Sequence, residues 1–127
     1  MNDMLDTIFA AISNVPRIKE LAGNRIFKYE FPESADHSQL RIVITPLSPP
    51  HPSTAGSDDP LSLEFTYQIN VESLNRKQCK EVQHLISNVM RDFSFAQMTG
   101  GLDEWLNPFF VDARRYRGNS ALYDTNY

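Results

Sequence analysis

The 127-residue chain predicts an α+β fold: a mostly antiparallel sheet of three to five strands with two main helices packed on one face. Three observations carry this expectation. Residues 61–72 alternate apolar and polar without a break, which is the period of a strand with one dry and one wet face. Such half-wet strands belong to antiparallel sheets, because strands of parallel sheets are covered on both sides and read as continuous apolar runs. Residues 3–14 and 75–93 instead place their apolar side chains three and four apart, the spacing of amphipathic helices.

In the first helix, Met4, Leu5, Ile8, Phe9 and Ile12 form one stripe. It stops before Pro16, whose ring disfavours α geometry at Val15. Pro16 can open a further helical turn carrying Ile18 and Leu21, ended by Gly23 in a left-handed conformation. Residues 25–31 alternate next, with Phe27, Tyr29 and Phe31 on one face and Ile26, Lys28 and Glu30 on the other, and Pro32 ends this strand. A second strand over 40–45 puts Leu40, Ile42 and Ile44 on one face and stops at Pro46, which cannot donate to a ladder.

Residues 46–60 hold five of the eight prolines and almost nothing to bury, so they read as a long mobile loop. In the strand that follows, Leu61, Leu63, Phe65, Tyr67, Ile69 and Val71 form the dry face. The second main helix begins with Asn75 and Gln78 in a capping-box-like pair and runs through Val82, Leu85, Ile86, Val89, Met90 and Phe93. A short strand over 94–98 is expected to turn at Gly100 and Gly101. Residues 109–117 form a last strand, with Phe109, Val111 and Ala113 on one face and Phe110, Asp112, Arg114 and Tyr116 on the other. The polar residues 119–127 read as a flexible tail, leaving 1–118 as a single domain, the size that one core supports.

The charge balance excludes some roles. Sixteen acidic against twelve basic residues give a net charge of −4, a sign that does not attract nucleic acid or anionic lipid overall. The acidic start, and the want of any apolar run near the roughly 18 residues of a spanning helix, point to a protein made and kept in a cytoplasm. Cys79 is the single cysteine, so an internal disulfide and a cysteine-based zinc site are excluded.

Little in the chain reads as catalysis, and no cofactor or metal is expected. His37 and His51 lie in predicted loops and His84 on the wetter side of the second main helix, none in a ligand pair. Cys79 reads as core filler, with no neighbouring base to lower its pKa. Asp58/Asp59 and Asp103/Glu104 are sequence neighbours, whereas acid–base pairs converge across a pocket. Arg114, Arg115 and Arg117 around Tyr116 most resemble a nucleic-acid signal, although alternation puts Arg115 and Arg117 on one face and Arg114 on the other. The alternatives are a solvated strand end or intersubunit ion pairs. The proline-rich loop, with Pro49, Pro50, His51 and Pro52, is either a loose connection or a segment that orders on a partner; the partner is preferred, because prolines reduce the entropy surrendered on capture. Trp105 is either a core plug or an interface anchor, with the core preferred for the burial gain of a large ring. Pro49, Pro50, His51, Pro52, Arg114, Arg115 and Arg117 are therefore the candidate interface residues.

This organisation resembles the tail-terminator or tail-to-head joining proteins of long-tailed phages, especially those of Gram-positive hosts. The resemblance runs from about Leu5 to Gly118. It rests on the N-terminal helix, the segment Gly-Asn-Arg-Ile-Phe-Lys-Tyr-Glu-Phe-Pro-Glu at 23–33, the long loop before the alternating strand, the helix over 75–93 and the closing Phe-Phe-Val-Asp-Ala-Arg-Arg-Tyr. It implies a non-enzymatic virion protein that forms a ring, of six subunits, on the end of the tail tube. Its partners would be its own copies, the tail tube protein and the head-completion or connector protein, with no membrane and no specific nucleic acid. The alternatives are another phage neck or tail-assembly component, or a small nucleic-acid-binding module using the arginines at 114–117.

Overall fold

A computed structural model of the chain describes residues 3–32, 38–52 and 62–121. The architecture is α+β and the sheet is mostly antiparallel. In chain order the elements are α1 (Met4–Ser13), α2 (Pro16–Ala22), β1 (Ile26–Lys28), β2 (Arg41–Pro46), β3 (His51–Pro52), β4 (Ser62–Ser73), α3 (Arg76–Asp92), β5 (Ala96–Gln97), β6 (Leu102–Leu106) and β7 (Phe109–Ala121). The strands form one sheet in the order β1-β2-β4-β7-β5, with β3 also beside β4 and β6 also beside β7. β1 pairs parallel with β2, and every other pairing is antiparallel. Among the described residues the sheet thus has seven strands and there are three helices, against the expected three to five strands and two main helices.

The extra pieces have local causes. Pro16 at the start of α2 spends no needed N–H, and Gly23 at φ 57° ends the helix, so the further turn becomes a helix in its own right, with Ile18 and Ala22 buried. β6 was not anticipated, because all five of its residues are exposed and it has no dry face for the sequence to display. It forms by pairing with β7 across the turn at Asn107 and Pro108.

One apolar core lies between the helices and the sheet. Ile8 and Ile12 of α1, Ile18 of α2, and Cys79, Val82, Ile86 and Met90 of α3 pack with Ile42, Ile44, Phe65, Tyr67, Ile69, Val71 and Tyr116 of the sheet. The dry faces expected of 40–45 and 61–72 are those buried here, apart from Leu61, which lies outside the described residues. Asn75 caps α3 as expected, its Oδ1 accepting from the Gln78 N–H at 3.2 Å. The first strand differs: Ile26 is buried and Phe27 only partly, and the strand ends at Lys28 because Tyr29 turns to φ 72°. The aromatic face of 25–31 is therefore not the core face.

The loop and tail boundaries also shift. His51 and Pro52 pair with Glu64 and Leu63, so the loop expected over 46–60 is interrupted by a short strand; residues 53–60 lie outside the described residues. β7 continues past Gly118 to Ala121, paired with the start of β4, so 119–121 are not tail. Gly118 is a strand interior because the Phe95 ring lies where its side chain would stand: a Cβ there would come within 2.5 Å of the ring. Residues 122–127 lie outside the described residues.

Candidate assembly surfaces

The register sorts the polar side chains by face. On the side away from the helices stand Glu64, Thr66, Gln68, Asn70 and Glu72 of β4, opposite Arg115 and Arg117 of β7. Arg115 donates to Gln68 Oε1 at 3.0 Å, and Arg117 lies 3.8 Å from Glu64, whose other oxygen meets His51 at 2.8 Å. Arg114 faces the helices, where it holds Asp112 at 2.9 Å. The split of the arginines between two faces is thus as alternation required, and the structure does not gather them into one patch. Each is engaged within the chain. A three-membered His51–Glu64–Arg117 group joins the proline-rich segment to β7, a link between the two halves of the sequence-derived candidate set.

At one end of the outer face, Arg41 is inserted between two rings, its guanidinium carbon 4.2 Å from the centroid of Phe31 and 4.3 Å from that of Phe109. Glu72 accepts from its Nη2 at 2.8 Å. Val43, Val111 and Ala113, which are also buried, stand on this same outer face.

On the helix side, Lys80 of α3 bridges Asp103 of β6 and Asp112 of β7, each at 2.7 Å. Burial works against the Lys80 ammonium, but its hydrogen bonds to the two carboxylates outweigh that and hold it above the ordinary lysine value. The hydrogen bond from Lys80 also holds the Asp103 carboxyl below its ordinary value. Deeper still, Cys79 and Gln83 sit one turn apart on α3 and both reach sheet carbonyls. Burial pushes the Cys79 thiol up to about 11, which suits filler and not a nucleophile. Among the described residues, no three His, Cys, Asp or Glu side chains gather closely enough to hold a metal ion. No described helix is long and apolar enough to cross a membrane.

The large apolar side chains that remain exposed have a clear distribution. Trp105 is 60% exposed, and with it Leu74, Leu102 and Leu106 stand open to solvent. Trp105 is therefore not the expected core plug: it lies on β6, opposite Phe110 and on the far side of β7 from β4, and stays open to solvent. Tyr29, 64% exposed, and Leu47 form the other group. They belong to the mouth of a cavity of about 540 Å³ lined by the start of α1, Pro46, Ser48, Pro49 and Pro50, with Phe65 and Tyr67 at its floor. Of the predicted interface residues, Pro49 and Pro50 line this trough, His51 sits beside it on β3, and Pro52 continues that strand.

Pairing places Trp105 and Leu74 towards one end of the sheet and Leu47 with the trough towards the other, with Leu102, opposite Ala113, between them. Trp105 and Leu74 lie near the Ser73–Phe110 pair, whereas Leu47, whose N–H bonds the Thr66 carbonyl, and the trough lie near the Phe65–Gly118 pair. Periodicity does not show which of these side chains stay open: Tyr29 alternates with Phe27 and Phe31, but the strand ends at Lys28, and for the rest the signal available was the cluster Leu102, Trp105, Leu106 beside Gly100 and Gly101, too many apolar residues for an ordinary turn. In comparisons with known proteins, no family model matches the chain and no curated protein matches it in sequence.

Proposed function

We propose that the chain is a non-enzymatic assembly subunit of a long-tailed phage, which as a ring closes the tail tube and joins it to the head. The observation that carries the reading is that, among the described residues, large apolar side chains stay exposed at both ends of the sheet, Trp105 and Leu74 towards one and Tyr29 and Leu47 towards the other. Large apolar side chains left open at two separate places permit a subunit to contact two neighbours at once. The element order on which the resemblance rests supports the same reading.

In this role the partners are further copies of the chain, the tail tube protein and the head-completion or connector protein, and the protein resides in the virion neck. The intramolecular engagement of Arg114, Arg115 and Arg117 favours a structural use of these residues over phosphate binding. The experiment is electron microscopy of a lysate from the parent phage with this gene disrupted. Filled heads with free, abnormally long tails are expected. Heads with no tails at all would instead mark an earlier tail-assembly component, and normal virions would end the structural reading.

A further inference from the structure

We infer that β6 is an open sheet edge suited to an extended basic segment of a partner protein, which adds to the sheet as a further strand. The inference goes beyond the assembly role and does not rest on it.

Among the described residues β6 pairs with β7 alone, on the far side of β7 from β4, and all five of its residues are exposed. The register shows which backbone groups it leaves free. Arg115 of β7 accepts the Met98 N–H, so Arg115, and by alternation Ala113, Val111 and Phe109, direct their backbone groups towards β5 and β6. β7 runs against β4 without a bulge from Phe110 to Ala121, so this alternation holds along it. Leu102, Glu104 and Leu106 stand opposite those residues and bond them. Asp103 and Trp105 therefore turn their N–H and C=O groups to the free edge, a row on which another strand can form.

The backbone is described without a break from Ser62 to Ala121, and the chain leaves that stretch at the Ser62–Ala121 pair. Ala113, the partner of Leu102, is eight residues back along β7 from there, about 26 Å at ~3.3 Å per residue. The free edge of β6 is thus bordered by described residues only.

The side chains set the chemistry of the occupant. Leu102, Glu104 and Leu106 share the outer face, and the β7 side chains opposite them carry no charge. Further across that face Glu72 is already held by Arg41, and on the helix side Asp103 is held by Lys80. Glu104 is the carboxylate of β6 that has no ion pair among the described residues. A lysine or arginine opposite it, with apolar residues two places to either side against Leu102 and Leu106, completes the row. A second copy of β6 does not: laid antiparallel over its full length, it puts Glu104 opposite Glu104 on one face, and like charges directly opposite destabilise a pair of strands.

The test uses the full-length protein and a synthetic peptide with blocked ends, Thr-Val-Thr-Lys-Thr-Val-Thr, whose lysine and valines share one face when extended. Amide exchange is read residue by residue by NMR, and affinity from titration of the same spectra. In the free protein the Asp103 and Trp105 amides exchange fast beside a protected Glu104. As the peptide saturates, those two amides gain protection and Glu104 stays as it was. Glu104→Lys, an exposed change whose fold is checked by circular dichroism, weakens binding by at least about tenfold and tightens binding of the peptide with glutamate in place of lysine. Equal affinity of the protein for the two peptides, binding that leaves the Asp103 and Trp105 amides unprotected, or no binding up to the solubility limit of the peptide each overturns the proposal. Protection of the two amides that grows with protein concentration in the absence of peptide overturns it too, and makes a second copy the occupant. The gene-disruption phenotype is independent of these outcomes: long tails without peptide capture would remove this edge and leave the assembly role standing, and capture with normal virions would do the reverse.

Discussion

The Tyr116 hydroxyl on β7 donates to Oε1 of Gln83 on α3 at 3.3 Å, and both side chains are wholly enclosed in the core. The same Gln83 amide donates through Nε2 to the carbonyls of Ile69 and Asp112, each at 2.7 Å. One helix side chain thus ties itself to both central strands, and burial pushes the Tyr116 phenol up to about 12, so that it remains a donor at neutral pH. Replacing Gln83 with Met strands the hydroxyl and removes a partner from two carbonyls, at a cost of about 2–3 kcal/mol. Tyr116→Phe costs about 1–2 kcal/mol by leaving the glutamine oxygen unpaired. Urea denaturation of both variants and the double mutant tests this: the double mutant should lose less than the sum, because the residues share one network.

A second prediction concerns Arg41, the charge held between Phe31 and Phe109. A planar guanidinium can stack on both rings while pairing with Glu72; a lysine ammonium cannot. Arg41→Lys should keep the ion pair and still destabilise by about 1–2 kcal/mol. Equal stability of the Lys variant and wild type in chemical denaturation would show that charge alone is used there.

Acid should loosen the β6–β7 hairpin before the rest of the fold. The hydrogen bond from Lys80 places the folded-state value of Asp103 below its ordinary 3.8. A lowered carboxylate contributes stability that is present above the unfolded value and is lost as pH falls through the folded one. Hydrogen exchange of the β6 amides, corrected for intrinsic rates, is expected to rise relative to α3 as the pH drops below about 4. Asp103→Asn should remove that difference, since Asp103 is an exposed partner and Lys80 keeps Asp112.

Gly118 should not tolerate a side chain. A Cβ there meets the Phe95 ring at 2.5 Å, and Phe95 is itself packed into the core between this strand and α3. Gly118→Ala is expected to destabilise by about 1–3 kcal/mol, as over-packing does elsewhere. Thermal unfolding gives the answer, and an unchanged transition would mean that Phe95 moves aside without cost.

Periodicity made the α+β class, the long α3, the alternating β4 and the helical pieces on either side of Pro16 legible from the chain alone, because each depends on a single face meeting a single core. The two faces of 114–117 were legible for the same reason: strand alternation divides Arg114 from Arg115 and Arg117 whatever surrounds them. Residues whose pattern reflects something other than one dry face escaped. β6 is exposed throughout and exists because β7 is beside it; Ile26 rather than Phe27 is in the core because β1 pairs with β2 in that register; Gly118 lies mid-strand because a ring distant in sequence fills its place. Gln83, polar by type, is buried because two strands offer it carbonyls. The exposed Trp105 belongs to the same set: composition sets how much apolar surface the chain must carry, and only the three-dimensional pairing of strands decides which of it is left open.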